Sequence, residues 1–501
     1  MKPEASRPRT EALLIGIAVA LGAGLRTWAL VRDGGARTAA MVYDDGVYVA
    51  AGALLRDGHL PFRDFVFVQP PGITYLVAFA SFIWRDPEQL LVAMRYAAIV
   101  AGIVNLWLVA VIMRRYVGIV EAIVSTLVYA VLPEAVYAEH TVVLEPWLNL
   151  ACLSAVYLWL SVDRTAEWRR FGPRGRARGA GMLLALALTF KVWAIFCIVA
   201  CVIAAPRRAR RARLADLGVG TALGVAVLWL PLLVVAPSEA VDQVVRFQLG
   251  RPADGIDGPF SRLWRMAKPA EITDAGWWRA TFALVLVGCG IFVAMRAATR
   301  LARLTVAWFA LTIVGFLVAS TWWEQYSAHA AVAFALLSGF AAHGIVTSLR
   351  SPSGKGATIA RLGIPVAAIV LLSGYVVDSL RYEAEHTSVV VDAARDIERF
   401  VPSGDCVVAL EPGWLVMAGR LPQTGQGHRA TVDPYAALLL DDIVAGSSSE
   451  RDLAEAIDAC RYLVVSDFRL SMLSPELRRS IETGFVTRSN PDAGIRVLER
   501  R

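Results

Sequence analysis

Hydrophobic positions run along this chain in long unbroken blocks, separated by short polar stretches in which arginine recurs. Blocks long enough to cross about 30 Å of hydrocarbon predict membrane-spanning helices. Basic residues in the short links orient them, because Lys and Arg collect on the cytoplasmic side. The first predicted span is 12–31, preceded by Lys2 and Arg7, which puts the N-terminus in the cytoplasm. Its run "EALLIGIAVALGAGLRTWALV" ends without a small-residue cleavage site and reads as a signal anchor rather than a cleaved leader. Spans at 88–113, 117–133 and 144–162 follow, with Arg114 and Arg115 marking an inner end.

Two blocks break the simple alternation. Residues 70–84, "PPGITYLVAFASFIW", are short for a span. If they crossed, either the Asp44 loop or the Arg114/Arg115 loop would lie on the wrong side, so they read as an interfacial or half-inserted helix on the outer face. Residues 179–206 are flanked by "RGRAR" and "RRARRAR", and both flanks belong inside. An even number of crossings is then required. A hairpin with arms of about 18–21 Å, at 1.5 Å per residue, meets that demand and puts Lys191 at its outer tip. Further spans at 214–236, 279–296, 304–319, 330–348 and 362–379 bring the expected total to eleven crossings.

Beyond residue 380 the pattern changes. "VVDAARDIERFV" has helical apolar spacing, whereas "CVVAL" and "YLVVSDF" are short β-branched runs of the kind that form buried strands. "SERDLAEAIDAC" and "SPELRRSIETGF" open on serine caps followed by acids. The expected architecture is therefore a polytopic α-helical membrane domain over 1–380, with outer loops at 32–87, 134–143, 237–278 and 320–329. A small extracytoplasmic α/β domain over 381–501 follows it.

Composition supports this and excludes alternatives. The chain of 501 residues is 56% hydrophobic with a mean hydropathy of +0.53, which a soluble protein of this length would not show. Its net charge of +7 is spread over inter-helix loops rather than gathered into a nucleic-acid face. Cys152, Cys197, Cys201 and Cys289 lie in apolar segments and read as small buried hydrophobes. Cys406 and Cys460 each start a predicted strand in a disulfide-permissive space, where a bond and two buried thiols are both open.

This topology gathers a set of polar groups on the outer face. The first loop gives Asp44, Asp45, Tyr48, His59, Arg63, Asp64 and Gln69; the second gives Glu134, Tyr137, Glu139, His140 and Glu145. Lys191 joins them from the hairpin, Arg246 and Arg251 from the fourth loop, and Glu324, Gln325, Tyr326 and His329 from the last. Ionisable groups at membrane depth are costly to hold and tend to be functional. Asp44, Glu145 and Lys191, at or just inside helix ends, are the unusual ones. Each has a plainer reading: a solvated loop for the Asp44–Asp45 pair, a helix-start acid for Glu145, a snorkelling side chain for Lys191 and an aromatic belt for "WWEQY".

The arrangement resembles the GT-C glycosyltransferases, in particular the group of protein O-mannosyltransferases and bacterial aminoarabinose transferases. The residues that carry the likeness are Asp44-Asp45-Gly46-Val47-Tyr48, then Gly58-His59-Leu60-Pro61-Phe62-Arg63-Asp64, then Gln69-Pro70-Pro71. An acid opening the fourth helix in "VVLEPWLNL", "ALTFKVWA" at the hairpin tip and the late "EQYSAHAAVAFALL" continue it in the same order. There are departures: Asp45 stands where Glu is usual, Val47 where aminoarabinose transferases have Arg, Gln69 where Lys or His is common, and Glu145 where Asp is frequent. They put the identity of the sugar in doubt.

The resemblance implies transfer of a sugar from a polyprenyl-phosphate donor to an extracytoplasmic acceptor, by a single displacement with inversion. The donor's chemistry agrees, since nucleotide sugars are absent outside the cell and a lipid must carry the sugar across. Lys191 would bind the leaving phosphate. Asp44 would serve as general base, with Asp45 or Glu145 orienting acceptor or sugar. Tyr48, Gln69, His140, Glu324, Gln325 and Tyr326 complete the expected substrate contacts. No cofactor is required by the sequence, and no His/Asp/Glu cluster has spacing specific to a metal, which leaves metal dependence open. Expected partners are the lipid donor, the acceptor and membrane lipids, without nucleic acid, for a monomer in the cell membrane. The alternatives are a secondary transporter, against which the one-sided placement of the charges speaks, and a non-catalytic lipid-binding protein of the same fold.

Overall fold

The computed structural model describes residues 8–32, 35–36, 43–162, 172–253, 258–267, 276–350, 372–377, 380, 387–424, 428–444, 447, 449–489 and 494–501. The chain is a polytopic helical membrane protein. Among the described residues five helices are long and apolar enough to cross a membrane: Arg9–Val31, Pro87–Tyr116, Arg210–Val235, Arg300–Val318 and Glu324–Ser348. Their outward faces carry bare apolar side chains, such as Val219, Leu223, Val227, Leu230 and Val234 at four-residue or near-four-residue spacing. Water would not tolerate that stripe on a folded surface, whereas lipid matches it.

In chain order the membrane part comprises α1 (Pro8–Val31), α2 (Tyr43–Arg56), α3 (Gly72–Ser81), α4 (Pro87–Tyr116), α5 (Ile119–Val131), α6 (Pro133–Ala138) and α7 (Glu145–Ser161). Then come α8 (Pro173–Phe190), α9 (Ala194–Ile203), α10 (Arg210–Val235), the short α11 (Pro237–Val241) and α12 (Phe247–Gly250) joined by a π-turn, and α13 (Pro259–Ala267). The bundle ends with α14 (Gly276–Ala297), α15 (Arg300–Val318) and α16 (Ser327–Arg350). Helices thus stand at the expected spans up to 330–348, while the span expected at 362–379 lies largely outside the described residues. α8 and α10 approach closely because glycines meet backbone: a Cβ on Gly181 would lie 2.1 Å from Leu217 O, and one on Gly220 would lie 2.0 Å from Arg178 O.

The expected hairpin over 179–206 is present as α8 and α9. Lys191 breaks it, with extended backbone at φ −157° and ψ 143°. The run expected at 70–84 forms α3, ten residues long, and Pro70-Pro71 set its start.

The C-terminal residues build a four-stranded sheet in the order β1-β2-β4-β3, from β1 (Val407–Ala409), β2 (Tyr462–Ser466), β3 (Phe485–Thr487) and β4 (Ile495–Arg500). β1 runs parallel to β2, and β4 runs antiparallel to both of its neighbours. Around the sheet lie α17 (Thr387–Phe400), α18 (Pro412–Met417), α19 (Pro434–Ile443), α20 (Ser449–Ala459), α21 (Asp467–Ser471) and α22 (Pro475–Gly484). Cys406 and Cys460 form a disulfide just before β1 and β2, their Cα atoms 4.9 Å apart. Cys152, Cys197 and Cys201 are buried, but Cys289 is exposed on α14, which corrects its expected burial: an apolar sequence there marks a lipid-facing surface, not an interior.

The sheet region packs onto one end of the helices. A Cβ on Gly46 of α2 would lie 2.3 Å from Gly413 Cα in α18, so both glycines are needed for the two backbones to touch. Arg429 Nη2 donates to Phe62 O at 2.8 Å, and Val66 N–H donates to Arg429 O at 2.9 Å, which clamps the first loop from above.

Candidate active site

The hydrophobic stop at Phe190 and the extended turn that follows aim Lys191 into the protein rather than into lipid. Its ammonium meets Glu145 Oε1 at 2.5 Å and lies 3.5 Å from the centroid of the Tyr326 ring. Glu145 opens α7 beside Pro146, where the exposed N–H groups of a helix start favour negative charge. Both charges are almost fully withdrawn from water, so each depends on the other. Tyr326 comes from the short helical turn Glu324–Tyr326 ahead of α16 and packs with Trp193, Phe196 and Phe316. A cavity of about 120 Å³ near this aromatic group is lined by Leu132, Leu263, Met266, Phe309, Ile313 and Phe334 among others.

Asp44 reaches the same recess from the first turn of α2. It keeps partial contact with solvent while protein mass surrounds it. Burial pushes its carboxyl up to about 6; Lys191 and Arg251 pull it down, and Asp433 and Glu145 push it up. Tyr48, one turn further along α2, is buried, and its hydroxyl is raised first by burial and then by Asp44 and Glu145. The structure therefore brings together Asp44, Glu145, Lys191, Tyr48 and Tyr326 from four separate elements.

Asp45 does not share that recess freely. It is fully buried, bound to Arg95 Nη2 of α4 at 2.8 Å and to the Val142 N–H at 2.6 Å. Its carboxylate is consumed in joining α2, α4 and the link before α7. Glu139 does related work in that link, bound to Arg26 Nη2 at 2.5 Å and accepting from Asn105 and Tyr129 at 2.8 Å each. His140 is buried with Nδ1 donating to Val136 O at 2.7 Å, and burial lowers it to about 4, which leaves it neutral near pH 7. Glu324 is engaged by Arg265 at 3.1 Å. Gln325 and Gln69 are half-buried, the latter just before Pro70-Pro71.

Sequence reasoning missed Asp433. It caps α19, accepting the Ala436 N–H at 3.1 Å, and it takes a hydrogen bond from the Tyr43 hydroxyl at 2.8 Å. Burial raises its carboxyl above the ordinary range. In the sequence "TVDPYAALLLDD" it is indistinguishable from any aspartate before a helix-opening proline. Among the described residues no group of three or more His, Cys, Asp or Glu side chains is placed to hold a metal ion.

The comparisons with known proteins bear on fold and family. A family model described as dolichyl-phosphate-mannose-protein mannosyltransferase matches residues 68–235. The chain is similar to the crystal structure of ArnT from Cupriavidus metallidurans in the apo state, with 14% identity, a TM-score of 0.63 and coverage of 97% of each chain. The same protein bound to undecaprenyl phosphate matches with 14% identity and a TM-score of 0.62, over 98% of each chain. The Archaeoglobus fulgidus oligosaccharyltransferase tethered with an acceptor peptide matches at 14% identity and a TM-score of 0.62, over 99% of this chain and 74% of that one. No curated protein sequence matches the chain. The resemblance to GT-C membrane glycosyltransferases drawn from the sequence is thereby upheld, along the whole chain at the level of fold.

Proposed function

We propose that the chain is a GT-C glycosyltransferase that moves a sugar from a polyprenyl-phosphate donor to an extracytoplasmic acceptor. The observation that carries the reading is the convergence of Asp44, Glu145 and Lys191 at one outer recess, reached from α2, α7 and the α8–α9 break. Similar structures hold undecaprenyl phosphate in one case and dolichol phosphate in another, which supports a lipid-linked donor here.

In this reading the donor phosphate approaches Lys191, whose charge stabilises the phosphate oxygens as the bond to the anomeric carbon breaks. The carboxylate of Asp44 takes the proton of the acceptor hydroxyl as its oxygen bonds to the anomeric carbon from the opposite side. Inversion follows from the single displacement, and polyprenyl phosphate departs with the electron pair of the broken bond. Glu145 holds Lys191 in place before the donor arrives. The cavity lined by Met266 and Ile313 suits the first part of the lipid chain. An ionised base above about pH 6 matches work at neutral pH.

The reading keeps eleven crossings with a cytoplasmic N-terminus, a membrane domain over 1–380 and a C-terminal domain over 381–501 outside the cell membrane. The decisive experiment offers synthetic polyprenyl-phosphate mannose and polyprenyl-phosphate arabinofuranose, radiolabelled in the sugar, to a membrane acceptor fraction, comparing wild type with Asp44→Asn. Label transfer from one donor, lost in the variant, is the expected result. Undiminished transfer by Asp44→Asn would remove Asp44 as the base.

A further inference from the structure

The C-terminal domain brings a carboxylate of its own to the recess. Asp433 Oδ1 accepts both the Ala436 N–H, at 3.1 Å, and the Tyr43 hydroxyl, at 2.8 Å. Tyr43 is the residue immediately before Asp44. Its hydroxyl also accepts the Tyr435 N–H at 3.2 Å. The Tyr43 ring lies edge-on to Tyr435 with centroids 6.2 Å apart, and the Arg469 guanidinium sits 4.5 Å from its centroid. Arg469 is itself anchored by Glu411 Oε2 at 3.1 Å. A cap for α19 needs only the Ala436 contact. The tie to Tyr43 is additional, and it grips the turn that carries the candidate base.

We propose that Asp433 is a positioning residue for the transfer reaction: from the C-terminal domain it holds the Tyr43 hydroxyl and, through it, fixes the first turn of α2 on which Asp44 stands. The inference rests on the reading of Asp44 as the base. It also gives the C-terminal domain a definite role, that of completing the site. The charged groups that influence Asp44 are then Lys191 from the α8–α9 break, Glu145 from α7, Arg251 after α12 and Asp433 from the C-terminal domain, with Tyr48 on its own helix. Asp45 is neutralised by Arg95 from α4. Removing the negative charge of Asp433 should let Asp44 lose its proton at lower pH.

Asp433→Asn removes the charge alone, because Asn caps a helix as well as Asp does and its amide oxygen can still accept the Tyr43 hydroxyl. The full-length protein in lipid nanodiscs is treated with dicyclohexylcarbodiimide, which modifies protonated carboxyls, and labelling of Asp44 is followed by peptide mass spectrometry between pH 4.5 and 8. Wild-type labelling should fall with a midpoint near pH 6. In Asp433→Asn the midpoint should move to lower pH by about half a unit or more, and in Asp433→Glu it should return toward that of wild type. In the transfer assay Asp433→Ser, which keeps a cap for α19 but is too short to hold Tyr43, and Tyr43→Phe should each lower kcat about tenfold with donor KM within about twofold, and the double variant should be no worse than either single. An unchanged labelling midpoint in Asp433→Asn, or additive losses in the double variant, would overturn the proposal. The labelling does not need turnover: a shifted midpoint in a protein that transfers no sugar would sink the functional reading and leave the placement of Asp433 standing.

Discussion

At the scale of single residues, adjacent acids have been given opposite environments. Asp45 is sealed against Arg95, while Asp44 keeps access to the recess and a raised pKa of about 6. A carboxyl that titrates there is ionised at neutral pH yet still basic enough to accept a proton. Transfer activity should therefore fall as pH drops through about 6, and a kcat-versus-pH profile tests it. Stability has the opposite sign: the folded state holds the Asp44 proton more firmly than the unfolded chain does, so this group favours folding at low pH and loses that contribution as pH rises through about 6. Asp45→Asn would strand the fully buried Arg95 guanidinium. Loss of one partner of such a pair costs about 3–5 kcal/mol, and thermal unfolding in detergent should show it with Asp44 still in place. The sequence "DD" carried no mark of this division, since Arg95 lies 50 residues away and its pairing is decided by how α2 crosses α4.

At the scale of elements, what was legible was what hydropathy and charge alone determine. Long apolar runs announced the spans, and paired basic flanks announced the α8–α9 hairpin with Lys191 at its break. Contacts between distant backbones were not legible. Gly46 reads as an ordinary residue of "YDDGVY", and only the approach of Gly413 to within 2.3 Å of its would-be Cβ explains why no side chain fits. Gly46→Ala should wedge α18 away from α2 and cost about 1–3 kcal/mol by overpacking. Limited proteolysis of the C-terminal region, faster in the variant than in wild type, is the measurement. Gly58→Ala, where no atom lies within 4 Å of the would-be Cβ, should leave the α2–α18 contact intact although its φ of +94° makes any side chain costly there. His140, expected among the substrate contacts, shows another detail that its sequence did not carry: it is buried with its Nδ1 committed to the Val136 carbonyl.

For the whole molecule, the sheet region acts as a roof fixed to the helices by short ties. The Cys406–Cys460 bond closes a separation of 54 residues, and constraining a loop of that size in the unfolded chain is worth about 4 kcal/mol on chain-entropy grounds. A Cys406→Ser, Cys460→Ser double variant should lower the thermal stability of the C-terminal part more than that of the helices. Following tryptophan fluorescence and protease resistance together separates the two. If instead both parts melted earlier by the same amount, the roof and the bundle would be one cooperative unit.

The tie between Tyr43 and Asp433 spans 390 residues of chain. At about 5–20 residues per second of synthesis, the tyrosine is made roughly 20–80 seconds before the aspartate exists. For that interval the growing chain has threaded its first helices through the membrane while the α2 turn waits without the partner that steadies it. A growing chain therefore lacks this tie until residue 433 has been made, and the turn that carries Asp44 gains it only when the sheet region folds back over a helix completed hundreds of residues earlier.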